Sequence, residues 1–98
     1  MMTPEGKVKM QIRDFLNQQG VWHFCPQGGR FGRSGIPDIV GCHDGKFFAV
    51  EVKAPGKICS GLTALQKERI AEIRSAGGKA YVTDSIYDFI SWFDDVVL

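Results

Sequence analysis

At 98 residues, with 44% apolar and 23% charged side chains, the sequence has the size and usage of one globular domain, and a single domain is expected rather than several. No stretch approaches the roughly 20 consecutive apolar residues of a membrane helix, so a soluble chain without membrane contact is expected. The net charge of +1 is unevenly spread: residues 1–83 carry twelve Lys or Arg against seven Asp or Glu, while residues 84–98 carry four Asp and no base. Positive charge gathers at Arg30 and Arg33 and again from Lys53 to Lys79, Lys57 included. That is the mild footprint of a phosphate-binding surface, although solvated helices produce it too.

Thr3, Pro4 and Glu5 read as a helix N-cap, a proline at the first helical position and an acid suited to the helix dipole. Val8, Ile12, Phe15 and Leu16 then form one apolar stripe, which predicts a helix over residues 4–18. Such a start lacks the basic cluster and unbroken apolar run of a secretory signal, so a cytoplasmic setting is expected. Three cysteines without framework spacing agree with a reducing compartment. His23, Cys25, Cys42, His43 and Cys59 include no C-x-x-C or H-x-x-x-H pair, and structural zinc is not expected.

After Gly20, Val21 to Cys25 is a short run of strand formers, and residues 26–37, with four glycines and two prolines, read as a loop. Asp38 to His43, the turn Asp44-Gly45, and Lys46 to Val52 make a hairpin of two antiparallel strands. Residues 54–61 read as a second loop. Thr63 and Gln66 then have capping-box spacing at the head of a helix that carries Ile70 and Ile73 and stops at Gly77-Gly78. Lys79 to Thr83 is a last short strand, and Asp84 or Ser85 caps a final helix with Ile86, Phe89, Ile90 and Phe93 on its apolar face. The order is α-β-β-β-α-β-α in one domain over residues 1–98.

Chemistry-bearing residues fall at the ends of these elements. Side chains alternate along a strand, so Glu51 and Lys53 share a face while Val52 points to the core and leaves its carbonyl available. With Asp44-Gly45 as a two-residue turn, His43 pairs with Lys46 and Asp38 comes opposite Glu51, where the two could share one cation. A same-face Glu51–Lys53 salt bridge is the plain alternative. Against it stands the strand Phe47-Phe48-Ala49-Val50, whose interior character makes an unpaired carboxylate costly. Glu5 and Gln66 lie on the core-facing stripes of their helices; a dipole contact and a capping box explain each by itself. Together, three carboxylates, an amide and an ammonium form a set whose oxygen ligands suit Mg²⁺ or Mn²⁺.

The run Gly32-Arg33-Ser34-Gly35-Ile36-Pro37-Asp38, then Glu51-Val52-Lys53, then Gln66, resembles the signature of the VRR-Nuc family within the PD-(D/E)XK nuclease superfamily. The resemblance spans residues 5–83 and includes the leading helix acid, Glu5. It implies a restriction-endonuclease-like α/β core with a mixed central sheet flanked by helices, and metal-dependent hydrolysis of DNA phosphodiesters. Asp38, Glu51 and the Val52 carbonyl would then hold Mg²⁺, with Glu5 assisting directly or through water. Lys53 would orient or deprotonate the attacking water, and Gln66 would position Lys53 or that water. Arg30, Arg33, Ser34 and Lys57 would meet backbone phosphates. Stand-alone members resemble Holliday-junction resolvases, which implies a homodimer acting on branched, four-way DNA. The final helix, with Phe89, Trp92, Phe93 and Val96-Val97-Leu98, is the expected dimer interface. The alternative is a non-catalytic DNA-binding or nuclease-accessory subunit of the same fold, whose mark would be loss of a ligand or of Lys53; none is lost.

Overall fold

The computed structural model describes residues 2–27 and 32–98, so Arg30 lies outside the described residues. Helix α1 (Pro4–Gln18) starts where the sequence predicts: the Thr3 hydroxyl accepts the Gly6 amide at 3.0 Å, and Pro4 sits where a missing N–H costs nothing. Val8, Ile12 and Leu16 recur on one side of it and are buried. Strands β1 (Trp22–Phe24), β2 (Ile39–His43), β3 (Lys46–Val52) and β4 (Lys79–Thr83) lie side by side in that order. Pairing is antiparallel from β1 to β3 and parallel between β3 and β4. The fold is therefore α/β, a four-stranded mixed sheet flanked by helices.

Asp44 and Gly45 both take positive φ, 54° and 80°, the combination that lets a two-residue turn match the twist of its strands. The turn sets His43 opposite Lys46 and Ile39 opposite Val50, which brings Asp38 level with Glu51 at the open end of the hairpin. Ile39, Phe48, Val50 and Val52 turn to one face and pack on Val8, Ile12 and Leu16 of α1 and on Phe89 and Phe93 of α4 (Ile86–Val96). Gly41 belongs to that face and has no room for more. A Cβ there would lie 2.5 Å from the Phe48 ring and from the Trp22 carbonyl oxygen. Gly41→Ala is expected to cost about 2–3 kcal/mol and to lower Tm by roughly 10–20 °C; an unchanged thermal melt would mean that the ring moves aside at no cost.

The other face carries Glu51 and Lys53. Helix α3 (Ala64–Ser75) packs on it beside β4 with Ile70 buried, while Trp22 and Phe24 on β1 remain 65% and 48% exposed. Residues 54–61, expected as loop throughout, contain one helical turn, α2 (Ile58–Gly61), closed by the Gly61 amide on the Lys57 carbonyl at 2.9 Å. A single turn is too short to show an apolar period. Ser85, not Asp84, caps α4, accepting the Tyr87 amide at 3.2 Å. Asp84 instead accepts the Gly56 amide at 2.8 Å and ties the loop after β3 to the end of β4.

Much of the apolar face of α4 is covered by the chain itself. Phe89, Phe93 and Val97 are fully buried, and Trp92 stacks on Tyr81 at 4.8 Å with the rings 5° from parallel. Tyr87 and Leu98 are the large hydrophobic residues left exposed there. Among the described residues, no helix is long and apolar enough to cross a membrane.

Candidate active site

The glycine loop is pinned before it enters β2. Gly35, at φ 78°, lies so close to α3 that a Cβ would stand 2.7 Å from Leu65 Cγ, and Arg69 Nε donates to the Ser34 carbonyl at 3.1 Å. This contact delivers Asp38 to the end of the sheet. There its Oδ2 accepts the Val52 amide at 2.9 Å, which fixes the carboxylate against the strand that carries Glu51.

Glu51 is only 3% exposed. Its Oε1 accepts from Gln66 Nε2 at 3.2 Å, whereas its Oε2 is buried with no hydrogen-bond partner. Burial first, and the neighbouring Asp38 carboxylate second, push Glu51 up to about 8; Lys53 pulls it down and Glu5 adds a smaller push. Below about 8 the Glu51 carboxyl therefore keeps its proton, and a bound cation would favour its charged form.

Gln66 joins the remaining groups. Its Oε1 accepts from Lys53 Nζ and from the Thr63 amide, each at 3.0 Å, and its own amide donates to Thr63 Oγ1 at 3.1 Å. The capping box and the contact with the site are therefore one side chain doing both. Lys53 is buried, and its stem runs past α2, where a Cβ on Gly61 would stand 3.3 Å from Lys53 Cδ.

Two contributors escaped the sequence reading. Gly61 packs on Lys53 through a loop fold that no local pattern announces. Lys9 Nζ stands 3.9 Å from Asp38 Oδ1, a contact between α1 and the hairpin end whose one available signal was that Lys9 follows Glu5 by a helical turn. Glu5 itself is exposed, off the buried stripe expected of it, because the stripe begins only at Val8. Among the described residues no three His, Cys, Asp or Glu side chains converge on one point. The carboxylate set is thus the pair Asp38 and Glu51, with Glu5 outside it and acting on Glu51 through charge.

The expected phosphate contacts are dispersed. Arg33 is exposed with Nη2 at 3.4 Å from Glu72 Oε1, Ser34 gives its carbonyl to Arg69, and Lys57 is exposed at the head of α2. Part of the basic footprint is structural: Arg69 Nη1 pairs with Glu72 at 2.9 Å, and Arg74 Nη2 donates to the Ala80 carbonyl at 2.8 Å.

Against models of protein families and against curated proteins, the chain finds no match. Its chemistry is carried by the donor set. A hard divalent cation fits it, because Mg²⁺ is ordinarily held by one or two carboxylates with water completing the shell, and Glu51 Oε2 is a buried acceptor without a donor.

Proposed function

We propose that the chain is a metal-dependent nuclease of the VRR-Nuc type, with a PD-(D/E)XK core, hydrolysing DNA phosphodiesters with Mg²⁺ or, in its place, Mn²⁺. What carries the proposal is the partnerless Glu51 oxygen, buried beside Asp38 and within one side chain of Lys53. A carboxyl held in that state is costly to folding, and such groups concentrate where chemistry is done. Asp38, Glu51 and the Val52 carbonyl would hold the ion, with Glu5 reaching it through water. When bound, Mg²⁺ lowers the pKa of water and polarises a phosphoryl oxygen.

Lys53 orients or deprotonates the attacking water and offsets charge growing on the phosphate. Gln66 holds Lys53 and Glu51 by opposite ends of one amide, so the ammonium and the carboxylate keep a fixed separation. Arg30, Arg33, Ser34 and Lys57 bind backbone phosphates, which position DNA without reading sequence. A chain this small with no base-reading element suits shape recognition, and branched DNA with two-fold symmetry suits a homodimer. The test is incubation with Mg²⁺ and linear duplex, single-stranded, flapped and four-way DNA, with and without EDTA, alongside light scattering. Cutting that requires the metal and favours four-way DNA, by a particle of dimer mass, is the expected result. No cutting of any substrate, or full cutting in excess EDTA, would overturn the nuclease; a monomer cutting linear and branched DNA equally would overturn only the resolvase-like part.

A further inference from the structure

One face of α1 takes no part in the core. Gly6, Lys9, Met10, Arg13, Asp14 and Asn17 line an open groove of about 460 Å³ along it. The polar positions recur at one-turn intervals, so Lys9 and Arg13 stand roughly 6 Å apart along the axis, and Lys9 is at the end where Asp38 lies. Arg13 is exposed and, among the described residues, has no carboxylate at ion-pair distance, unlike Arg33 and Arg69. Asp14 is the one acid in the groove.

The Lys9–Asp38 contact is also of an exchangeable kind. At 3.9 Å it is too long for a hydrogen bond, and the two side chains are 34% and 27% exposed. Pairs of this type hold weakly in water. A divalent cation beside Asp38 would repel the ammonium, and the groove that Lys9 already lines is open to its long flexible side chain.

Resting on the nuclease reading above, we propose that Lys9, Arg13 and Asn17 form a track for one DNA backbone strand leading to the carboxylate pair, and that Lys9 exchanges Asp38 for a phosphate oxygen when a divalent cation occupies that pair. In the metal-free protein Lys9 is a placeholder cation. In the loaded protein it becomes the first phosphate contact of the track.

The experiment measures binding of a fluorescein-labelled linear duplex by anisotropy over a salt series, in EDTA and in Ca²⁺, a hard cation chosen to load the pair while slowing the chemistry. Calorimetry with MgCl₂ follows Lys9 from the metal side. Variants are Lys9→Gln, Arg13→Gln and, as control, Lys7→Gln, the same charge loss on the same helix but in a different groove, with Pro55 and Tyr87. In Ca²⁺, Lys9→Gln and Arg13→Gln should each weaken binding about three- to tenfold and each reduce the salt slope by about 0.9. In EDTA the Arg13→Gln effect should remain and the Lys9→Gln effect should shrink. Lys9→Gln should tighten Mg²⁺ roughly two- to fivefold, since a competing cation is gone.

A Lys7→Gln loss as large as the other two would overturn the track, and a Lys9→Gln loss equal in EDTA and Ca²⁺ would overturn the exchange. Wild-type cutting with both groove variants binding and cutting normally would overturn the proposal and leave the nuclease standing. Neither cutting nor heat of Mg²⁺ binding from the wild type would overturn both.

Discussion

Glu51→Gln is expected to raise the melting temperature of the metal-free protein above neutral pH while abolishing its response to Mg²⁺. Glu51 keeps its proton up to about 8 in the folded chain, against an ordinary value of 4.5. Between those values the unfolded state holds fewer protons than the folded state, so folding stability falls as pH rises through that window, by at most about 1.4 kcal/mol per pH unit. Above it the folded chain must bury a second negative charge beside Asp38. The substituted amide has no charge to bury. In the place of Oε2, the atom without a partner, it can present an N–H to the Asp38 carboxylate while its oxygen still accepts from Gln66.

The gain should be a few kcal/mol near pH 9, or roughly 5–15 °C in Tm, and close to nothing near pH 5, where the native carboxyl is itself protonated and can donate. Melts at both pH values in EDTA measure it. Added Mg²⁺ should then stabilise the wild type by mass action and leave the variant unmoved. Cation binding must also expel the Glu51 proton, so the wild-type affinity should fall by up to tenfold per pH unit below about 8. A variant less stable than the wild type near pH 9, or one equally shifted by Mg²⁺, would remove the pair from the metal reading.

How much of this was visible in the residues alone depends on how local each determinant is. The Asp44-Gly45 turn dictates register through the φ values of two neighbouring residues, and that register alone put Asp38 level with Glu51. Thr63 and Gln66 are likewise three residues apart, so their reciprocal cap could be read directly. Lys9 could not, because what joins it to Asp38 is the packing of α1 across the sheet rather than any spacing within α1.

The same distinction applies to the final helix. Its apolar content was plain, but whether Phe89 and Phe93 face this chain or another depends on Phe15, Phe48 and the α1 stripe, which come from distant segments. Basic residues were hardest to sort. Arg69 and Arg74 look in sequence like Arg33 and Lys57, and only the bonds of Arg69 to the Ser34 carbonyl and of Arg74 to the Ala80 carbonyl separate bases that brace the fold from bases facing solvent.

Lys53→Ala is expected to remove turnover, by on the order of 10²-fold or more in single-turnover cutting of four-way DNA, without weakening Mg²⁺ binding. Lys53 supplies the buried ammonium on the Glu51 face of the sheet, held by Gln66 Oε1 at 3.0 Å, and donates to neither carboxylate among the described residues. Its removal therefore takes away the ammonium proposed to face the phosphate but leaves every proposed ligand oxygen in place. Gln66 still receives the Thr63 amide, so the start of α3 keeps its cap and the bond to Glu51 keeps its donor. Because Lys53 lowers the Glu51 pKa, the variant's carboxyl should hold its proton to a still higher pH, and Mg²⁺ affinity is best compared as the plateau reached at high pH, where both carboxyls are ionised. There the loss of a neighbouring positive charge should, if anything, tighten the ion. Lys53→Met, which keeps the buried stem against Gly61, separates lost chemistry from lost packing: both variants should be slow, and only Lys53→Ala should also melt earlier. Normal cutting by Lys53→Met with Mg²⁺ bound would make Lys53 a structural cation that offsets Glu51, and the proton transfer would have to be assigned to another group.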